Sequence, residues 1–204
     1  MTTSSTTANR RKARNAGLPS PAGMFLRGFV KHPVMVGSVI ASSGKLIRKM
    51  LAPVDWANCK LFVEYGPGVG TFCRPILERM APDAQLIAID TNPEFIRYLN
   101  GTLLDSRFSA VHASAADVGQ IVRDHGHEHA DYVLSGLPFS TLPPGVGEQI
   151  AAETEAVLRP GGAFLVYQFS PKVRDFLQPN FATIDHDMEW WNVPPAQLYW
   201  AWKG

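Results

Sequence analysis

Apolar and polar positions from residue 55 onward follow two spacings, one typical of strands and one typical of helices. Short apolar runs bounded by turn residues indicate buried strands, and longer stretches with an apolar residue at every third or fourth position indicate helices. The predicted strands lie near 61–65, 85–90, 107–111, 131–135, 163–169, 181–188 and 196–203, and the predicted helices near 71–81, 93–103, 116–124, 145–158 and 171–177. Because a helix follows each of the first five strands, these strands should form a parallel sheet with helices on both faces, and the last two should form a hairpin. The predicted fold class is α/β with a seven-stranded sheet.

The segment before this region has a different pattern. Apolar side chains recur at helical intervals with basic residues between them, and Pro33 should divide the segment into helices near 21–31 and 34–51. The first helix has Phe25 and Phe29 on its apolar side, which suits a helix lying in a membrane interface and equally a helix packed on the sheet. It is too short and too charged to span a bilayer. The predicted organisation is a disordered basic tail over 1–20, a basic amphipathic helical arm over 21–54, and a single α/β domain over 55–204.

Charge is distributed as unevenly as hydrophobicity. No Asp or Glu precedes Asp55, and the first 54 residues contain nine Lys and Arg. The rest of the chain carries ten Lys and Arg against eighteen Asp and Glu, so the net charge of +1 hides an acidic body with a basic arm. Such an arm favours polyanions, either anionic lipid head groups or nucleic-acid phosphates.

Cysteine and histidine positions narrow the class of protein further. Cys59 and Cys73 flank the first strand in a chain without a secretory signal, so we expect buried, reduced thiols in a cytosolic compartment. His125, His127 and His129 fall in a polar loop before the fourth strand, on the side opposite the predicted site. We expect these histidines to be solvated, and we predict no metal.

The first strand ends in Glu64 and passes into Gly66, Gly68 and Gly70 before the next helix. Glycines at such a turn let the backbone approach a ligand that a Cβ would exclude, and Asp90 at the tip of the second strand can accept two hydrogen bonds from ribose hydroxyls. A dinucleotide fingerprint needs glycine at the first, third and sixth positions, whereas here they fall at the first, third and fifth. This spacing resembles the first motif of class I S-adenosylmethionine (SAM) methyltransferases, with a Rossmann-like sheet.

A second motif follows the fourth strand, where open α/β sheets bind their ligands. Ser135-Gly136-Leu137-Pro138-Phe139 resembles the Asn/Asp/Ser-x-Pro-Tyr/Phe loop of methyltransferases that act on amino groups. In those enzymes backbone carbonyls and a polar side chain hold the amine, and an aromatic ring flanks it, which aligns the nitrogen lone pair with the methyl–sulfur bond. The alternative is a proline turn packed by Phe139.

The whole set of motifs is similar to the bacterial phospholipid N-methyltransferases, which convert phosphatidylethanolamine stepwise toward phosphatidylcholine. The resemblance runs from residue 22 to the end of the chain. It rests on the segments His32-Pro-Val-Met-Val-Gly-Ser38, Ser42-Ser43, Glu64-Tyr-Gly-Pro-Gly-Val-Gly70, Ser135-Gly-Leu-Pro-Phe139, Tyr167-Gln-Phe-Ser170 and Trp191-Asn-Val-Pro-Pro-Ala196. Ribosomal RNA adenine dimethylases share the glycine and proline-aromatic motifs, but their loop has an asparagine where this chain has Gly136.

The resemblance implies a site and a location. The implied cofactor-binding residues are Ser42, Ser43, Glu64, Gly66, Gly68, Gly70, Asp90, Thr91, Asn92, Ser114, Ala115 and Ser135. The implied substrate loop is Ser135, Gly136, Leu137 and Phe139, with Tyr167 as the first candidate to orient the head group or relay its proton and Ser135 as the second. It further implies a monomer with a phospholipid substrate and no nucleic-acid partner, bound through residues 10–49 to the anionic inner face of the cell membrane.

Alternatives from other classes remain open. One is an enzyme that methylates an RNA base, in the manner of the adenine N6-dimethyltransferases, or the amine of a small molecule. Another is a catalytically silent protein that binds SAM and docks on membranes.

Overall fold

The computed structural model of the chain describes residues 44–192 and 195–204, in which seven strands form a single sheet. The predicted helix 21–31 and the predicted cofactor contacts Ser42 and Ser43 lie outside the described residues. The strands are β1 (Leu61–Tyr65), β2 (Gln85–Asp90), β3 (Phe108–His112), β4 (Ala130–Ser135), β5 (Leu158–Gln168), β6 (Thr183–Glu189) and β7 (Ala196–Trp202). The α-helices are α1 (Gly44–Met50), α2 (Cys73–Leu77), α3 (Pro93–Thr102), α4 (Val118–Asp124), α5 (Val146–Val157) and α6 (Val173–Leu177), with 3-10 turns at Ala115–Asp117 and Phe139–Thr141.

The order across the sheet is β3-β2-β1-β4-β5-β7-β6, in which β1 to β5 run parallel and β7 runs antiparallel to both β5 and β6. This confirms the predicted parallel sheet and its terminal hairpin. Strand order reverses between β1 and β4, which is where ligands bind in open α/β sheets. We call the edge at which β1 to β5 end the carboxyl edge. The β6–β7 turn also lies there, because Gln168 at the end of β5 pairs with Gln197 near the start of β7.

Residues at alternate strand positions bury opposite faces of the sheet, as the pleat requires. Phe62, Leu86 and Leu165 pack under α1, α2 and α3 on one face, which we call the α1 face. Val63, Ile87 and Phe164 pack under α4, α5 and α6 on the other, the α5 face. Helices therefore cover both faces, as predicted.

Two element boundaries differ from the prediction. The helix expected over 71–81 is only Cys73–Leu77. Strand β5 begins at Leu158, five residues before its predicted start at 163, so Gly161 and Gly162 belong to it. Tertiary pairing decides this, because Gly161 N–H donates to the Lys203 carbonyl (3.0 Å) and Lys203 N–H donates to the Gly162 carbonyl (2.9 Å).

Helix α1 is built into the domain. Leu46 and Met50 are buried in the core of the α1 face, and the Trp200 indole N–H donates to the Met50 carbonyl (2.9 Å). The Lys49 ammonium donates to the Met188 carbonyl (2.8 Å), which ties the helix to the end of β6. Residues 44–54 of the predicted arm are therefore packed on the sheet. Among the described helices, none has the length and apolar character that crossing a membrane requires.

Candidate active site

Three glycines form the connection from β1 to α2 at the centre of the carboxyl edge. Gly66, Gly68 and Gly70 have φ angles of 63°, 55° and 82°, in the left-handed region where a β-carbon costs about 1–2 kcal/mol. Gly66 N–H donates to the Ile89 carbonyl (2.9 Å), which joins the loop to the end of β2. The glycines are thus required by the backbone itself, and they keep the loop free of side chains beside Asp90.

Asp90 ends β2 with its carboxylate turned toward this loop. One carboxylate oxygen accepts the Asn92 N–H (2.8 Å), and the Gly68 N–H also donates to the carboxylate. Burial raises the pKa of Asp90, while these two N–H donors act in the opposite direction. Since a carboxylate offers about four acceptor positions, it keeps capacity for two further hydroxyl donors. The arrangement fits the ribose of SAM, with the glycine loop supplying the room.

Next to Asp90, at the same edge, lie four residues of the implied cofactor site that would surround the adenine: Thr91, Asn92, Ser114 and Ala115. The Asn92 side chain caps α3 by accepting the Glu94 N–H (2.9 Å), and Ser114 accepts the Ala116 N–H (3.2 Å). Thr91 is exposed and Ala115 is buried. Asn92 and Ser114 thus hold the ends of two turns, so their part in a cofactor site would be to shape its wall. Their contact with adenine stays a prediction.

Glu64 and Cys73 form a buried pair that the sequence analysis missed. Glu64 is only 2% exposed, and the Cys73 thiol donates to its carboxylate (Sγ to Oε2, 3.1 Å). Burial raises the pKa of Glu64 to about 7, the thiol hydrogen bond lowers it, and the charge of Asp90 raises it. Both cysteines are free and buried, as predicted, and their cytosolic compartment stays a prediction. The alternation of side chains along β1 would have been enough to predict that Glu64 lies on the α1 face. Its pairing with Cys73 depends on where α2 packs against the sheet, which the sequence does not show.

The substrate loop begins at Ser135, the last residue of β4. Ser135 is completely buried and its hydroxyl accepts the Leu137 N–H (3.2 Å), so this side chain shapes the turn. A β-carbon on Gly66 would lie 3.0 Å from Leu137 Cδ2, which places the substrate loop directly against the glycine loop. Two motifs about seventy residues apart therefore form one site.

Phe139, whose ring the sequence analysis expected beside the substrate, lies in the core of the fold. Its ring is 2% exposed and packs in the core of the α5 face against Phe164 and Phe176, with ring centroids 6.3 and 5.6 Å away. The Phe139 ring lies on the α5 face, whereas Tyr167, which packs on Gly136, lies on the α1 face. Phe139 therefore anchors the loop, as the proline-turn alternative expects, and a contact of its ring with the substrate stays a prediction.

Tyr167 near the end of β5 places an aromatic ring against the substrate loop at Gly136. A β-carbon on Gly136 would lie 2.7 Å from Tyr167 Cζ, so the phenol packs directly on the Gly136 backbone. Its ring lies 4.9 Å from the Phe72 ring, on the α1 face. Only glycine at position 136 admits this contact.

The His125 to His129 loop lies near Gln85, the first residue of β2, whereas Asp90 is the last residue of that strand. His125 Nδ1 contacts the Ile121 carbonyl (2.8 Å), and His127 Nε2 contacts Gln85 Oε1 (2.9 Å). Within residues 44–192 and 195–204 there is no group of three or more His, Cys, Asp or Glu arranged to hold a metal ion.

Replacing Asp90 by alanine should weaken SAM binding by about 1–3 kcal/mol, roughly 5- to 150-fold, because charge-assisted hydrogen bonds to the ribose are lost. Isothermal titration calorimetry with SAM or its demethylated product measures this. Asp83→Ala is the control, since Asp83 is exposed and paired with Lys60. Equal affinities for the two variants would show that the ribose is seated elsewhere.

Comparison with known proteins agrees with this geometry. The methyltransferase domain family matches residues 62–162. Ornithine lipid N-methyltransferase from Singulisphaera acidiphila is 31% identical over 180 residues, covering 87% of this chain and 94% of that protein. Ribosomal RNA small subunit methyltransferase H from Ralstonia pickettii is 33% identical over 104 residues, which cover 51% of this chain and 32% of that protein.

Solved structures show the same fold. The 1,6-didemethyltoxoflavin-N1-methyltransferase of Burkholderia thailandensis, determined with S-adenosylhomocysteine, superposes with a TM-score of 0.64 at 16% identity, covering 88% of this chain and 85% of that one. The predicted Rossmann-like methyltransferase sheet is confirmed, and SAM is the cofactor that the fold and the glycine loop serve. The similarity to ornithine lipid N-methyltransferase extends over 94% of that protein and agrees with the glycine loop and the loop at Ser135. The chain therefore belongs to the lipid N-methyltransferase family of class I SAM-dependent methyltransferases.

Proposed function

We propose that the chain transfers methyl groups from SAM to the amine of phosphatidylethanolamine, through its mono- and dimethyl forms toward phosphatidylcholine. The observation that carries the proposal is the contact of the substrate loop with the glycine loop, at Leu137 and Gly66, with Tyr167 on Gly136. This arrangement places the substrate loop, which resembles the loops that hold an amine, beside the glycine loop. The similarity to an enzyme named for an ornithine lipid, over 94% of its length, supports a lipid that carries a primary amine.

The residues of the chain would act by positioning the amine. SAM, when bound, supplies a methyl group on a sulfonium, which makes transfer intrinsically favourable. The Leu137 carbonyl already accepts the Phe139 N–H (2.9 Å), which fixes the loop and leaves one lone pair of that oxygen for a substrate N–H. Holding a nucleophile in line with its target can supply several kcal/mol of the acceleration.

The substrate amine must also lose a proton before it can attack. An alkyl ammonium has a pKa near 10 in water, and a site that excludes water lowers it by disfavouring the charged form. The Tyr167 hydroxyl, held against Gly136, is the first candidate to accept a hydrogen bond from the ammonium and pass its proton outward. Ser135, the second candidate in the sequence, is engaged with Leu137 N–H and serves the turn.

We further propose that residues 10–49 bind the anionic inner face of the cell membrane, so that the enzyme works as a cytoplasmic, peripheral monomer. The first 54 residues contain nine Lys and Arg and no Asp or Glu, which supports this proposal. Two of these basic residues, Lys45 and Arg48, are exposed on α1. Each Lys or Arg near such a surface contributes about 1 kcal/mol.

Expression in a bacterial host that lacks phosphatidylcholine should produce methylated phosphatidylethanolamines, detected by mass spectrometry of the extracted lipids. Purified enzyme with labelled SAM should methylate vesicles that contain phosphatidylethanolamine, and the Asp90→Ala variant should be strongly impaired at limiting SAM. Transfer only to ornithine lipid would overturn the head group proposed while keeping an aminolipid substrate. Transfer to RNA but to neither lipid would overturn the proposal.

Methylation of a ribosomal RNA base is the second candidate function. The stretch similar to the Ralstonia pickettii enzyme favours it, although that stretch covers only 32% of that protein. The tight packing of Tyr167 on Gly136 argues against adenine as that base, because the asparagine of the adenine-binding loops would collide with Tyr167 at this position.

A further inference from the structure

Two adjacent tryptophans project from the carboxyl edge of the sheet. Trp190 and Trp191, in the β6–β7 turn, are 71% and 76% exposed. Among the described residues, one other large hydrophobic side chain is strongly exposed, Leu104, in the α3–β3 connection at the opposite edge. Exposing two large aromatic side chains side by side is unfavourable in water, so such a pair marks a surface that meets an apolar partner.

The turn that displays these tryptophans is held by buried polar groups on either side of them. Glu189 is 6% exposed and its carboxylate accepts the Trp191 N–H (3.0 Å). Asn192 is 4% exposed, and its N–H donates to the Glu189 carbonyl (3.4 Å). The exposure of the two rings is therefore built into the turn.

Basic residues of α1 surround the same turn. The Lys45 ammonium lies 4.7 Å from the centroid of the Trp191 ring, and α1 begins at this edge. Arg48 Nη1 lies 3.4 Å from the position of a β-carbon on Gly44, so its guanidinium reaches back toward the start of the helix. Lys45, Arg48, Trp190 and Trp191 form a surface that we call the tryptophan patch.

The composition of the patch indicates a lipid bilayer as its partner. Tryptophan prefers the head-group region of membranes, where its ring is buried and its N–H stays hydrated, and neighbouring Lys and Arg pair with lipid phosphates. The patch also shares the carboxyl edge with the substrate loop and Tyr167, through which a head group would enter. We infer that Trp190 and Trp191 insert into the membrane interface and set the mouth of the site against the bilayer. The choice of lipid as the partner rests on the proposed function.

The test uses the full chain and reads the tryptophans directly, because the basic arm could bind membranes on its own. With vesicles of phosphatidylcholine and phosphatidylglycerol, the tryptophan emission of the wild type should shift to shorter wavelength and be quenched by brominated lipids. Trp190→Ser/Trp191→Ser should lose most of this quenching and bind vesicles at least about tenfold more weakly, since two buried aromatic side chains are removed. Leu104→Ser is the matched control and should bind like the wild type.

Several outcomes separate this inference from the proposed function. Unchanged vesicle affinity in the double variant, or no quenching of the wild type by brominated lipid, would overturn it whatever the enzyme methylates. Loss of RNA binding in the double variant without any loss of vesicle binding would assign the patch to nucleic acid and overturn it too. Normal SAM affinity and thermal midpoint in a variant that no longer binds vesicles would support it, even if phosphatidylethanolamine proved not to be the substrate.

Discussion

Gly68→Val is expected to abolish measurable SAM binding, at least about a hundredfold, while the domain stays folded. Gly68 has a φ of 55°, is buried, and donates its N–H to Asp90, so a branched side chain would both strain the turn and displace this donor. The strain costs about 1–2 kcal/mol, and the side chain would also occupy space that the cofactor needs. Calorimetry measures the binding, and circular dichroism checks the fold.

Gly126→Val is the matched control for this substitution. Gly126 has a φ of 83°, yet a β-carbon there would meet nothing within 4 Å, because it lies in the exposed α4–β4 connection. It should suffer similar backbone strain and keep its SAM affinity. If Gly68→Val bound SAM normally, the glycine loop would be a structural turn and the cofactor would bind elsewhere.

Without cofactor, the wild type should become less stable as the pH rises and Glu64 ionises. Glu64→Gln should not show this decrease in stability. Burial raises the pKa of Glu64 from 4.5 in the unfolded chain to about 7 in the folded domain. Between these values the folded state binds more protons than the unfolded state, so the free energy of unfolding falls as the pH rises through this window. The full shift corresponds to a change of about 3 kcal/mol in the free energy of unfolding.

Urea denaturation of the two proteins at pH 5 and pH 8 measures this effect. The unfolding free energy of Glu64→Gln relative to that of the wild type should be higher at pH 8 than at pH 5. The neutral amide of the variant can still accept a hydrogen bond from the Cys73 thiol. Glu128→Gln, at an exposed glutamate of the α4–β4 connection, is the control and should show no such change. A constant difference between pH 5 and pH 8 would mean that Glu64 ionises normally.

The free energy that ionised Glu64 is expected to cost the folded domain bears on the function of this residue. The described residues give its carboxylate a thiol partner, Cys73, and a like charge, Asp90, within a buried site. A buried carboxylate with these neighbours is unfavourable when ionised, and perturbed acids of this kind concentrate at functional sites. The arrangement fits a group that meets the positively charged methionine end of SAM, in line with the cofactor-binding role that the resemblance implies for Glu64.

The sequence alone determined the features that depend on neighbouring residues. The period of apolar residues predicted all seven strands, because alternation and helical spacing are local properties. The spacing of Gly66, Gly68 and Gly70 distinguished this turn from a dinucleotide fingerprint, and each glycine does adopt the left-handed conformation. Asp90 was correctly expected at the end of its strand.

Only the tertiary structure decided which side chains from distant segments meet. Phe139 lies in the core of the α5 face because its ring packs against Phe164 and Phe176. No local sequence pattern predicts these contacts. The pairing of Glu64 with Cys73 depends on how tightly the chain turns back after Gly70.

The tryptophan patch is the clearest case, since Lys45 and Trp191 are 146 positions apart in the sequence and meet only because α1 packs against β6 and β7. Local spacing determines which elements form and where glycine must stand. Packing between elements determines the face that each side chain uses, because that choice minimises the exposed apolar area of the whole fold.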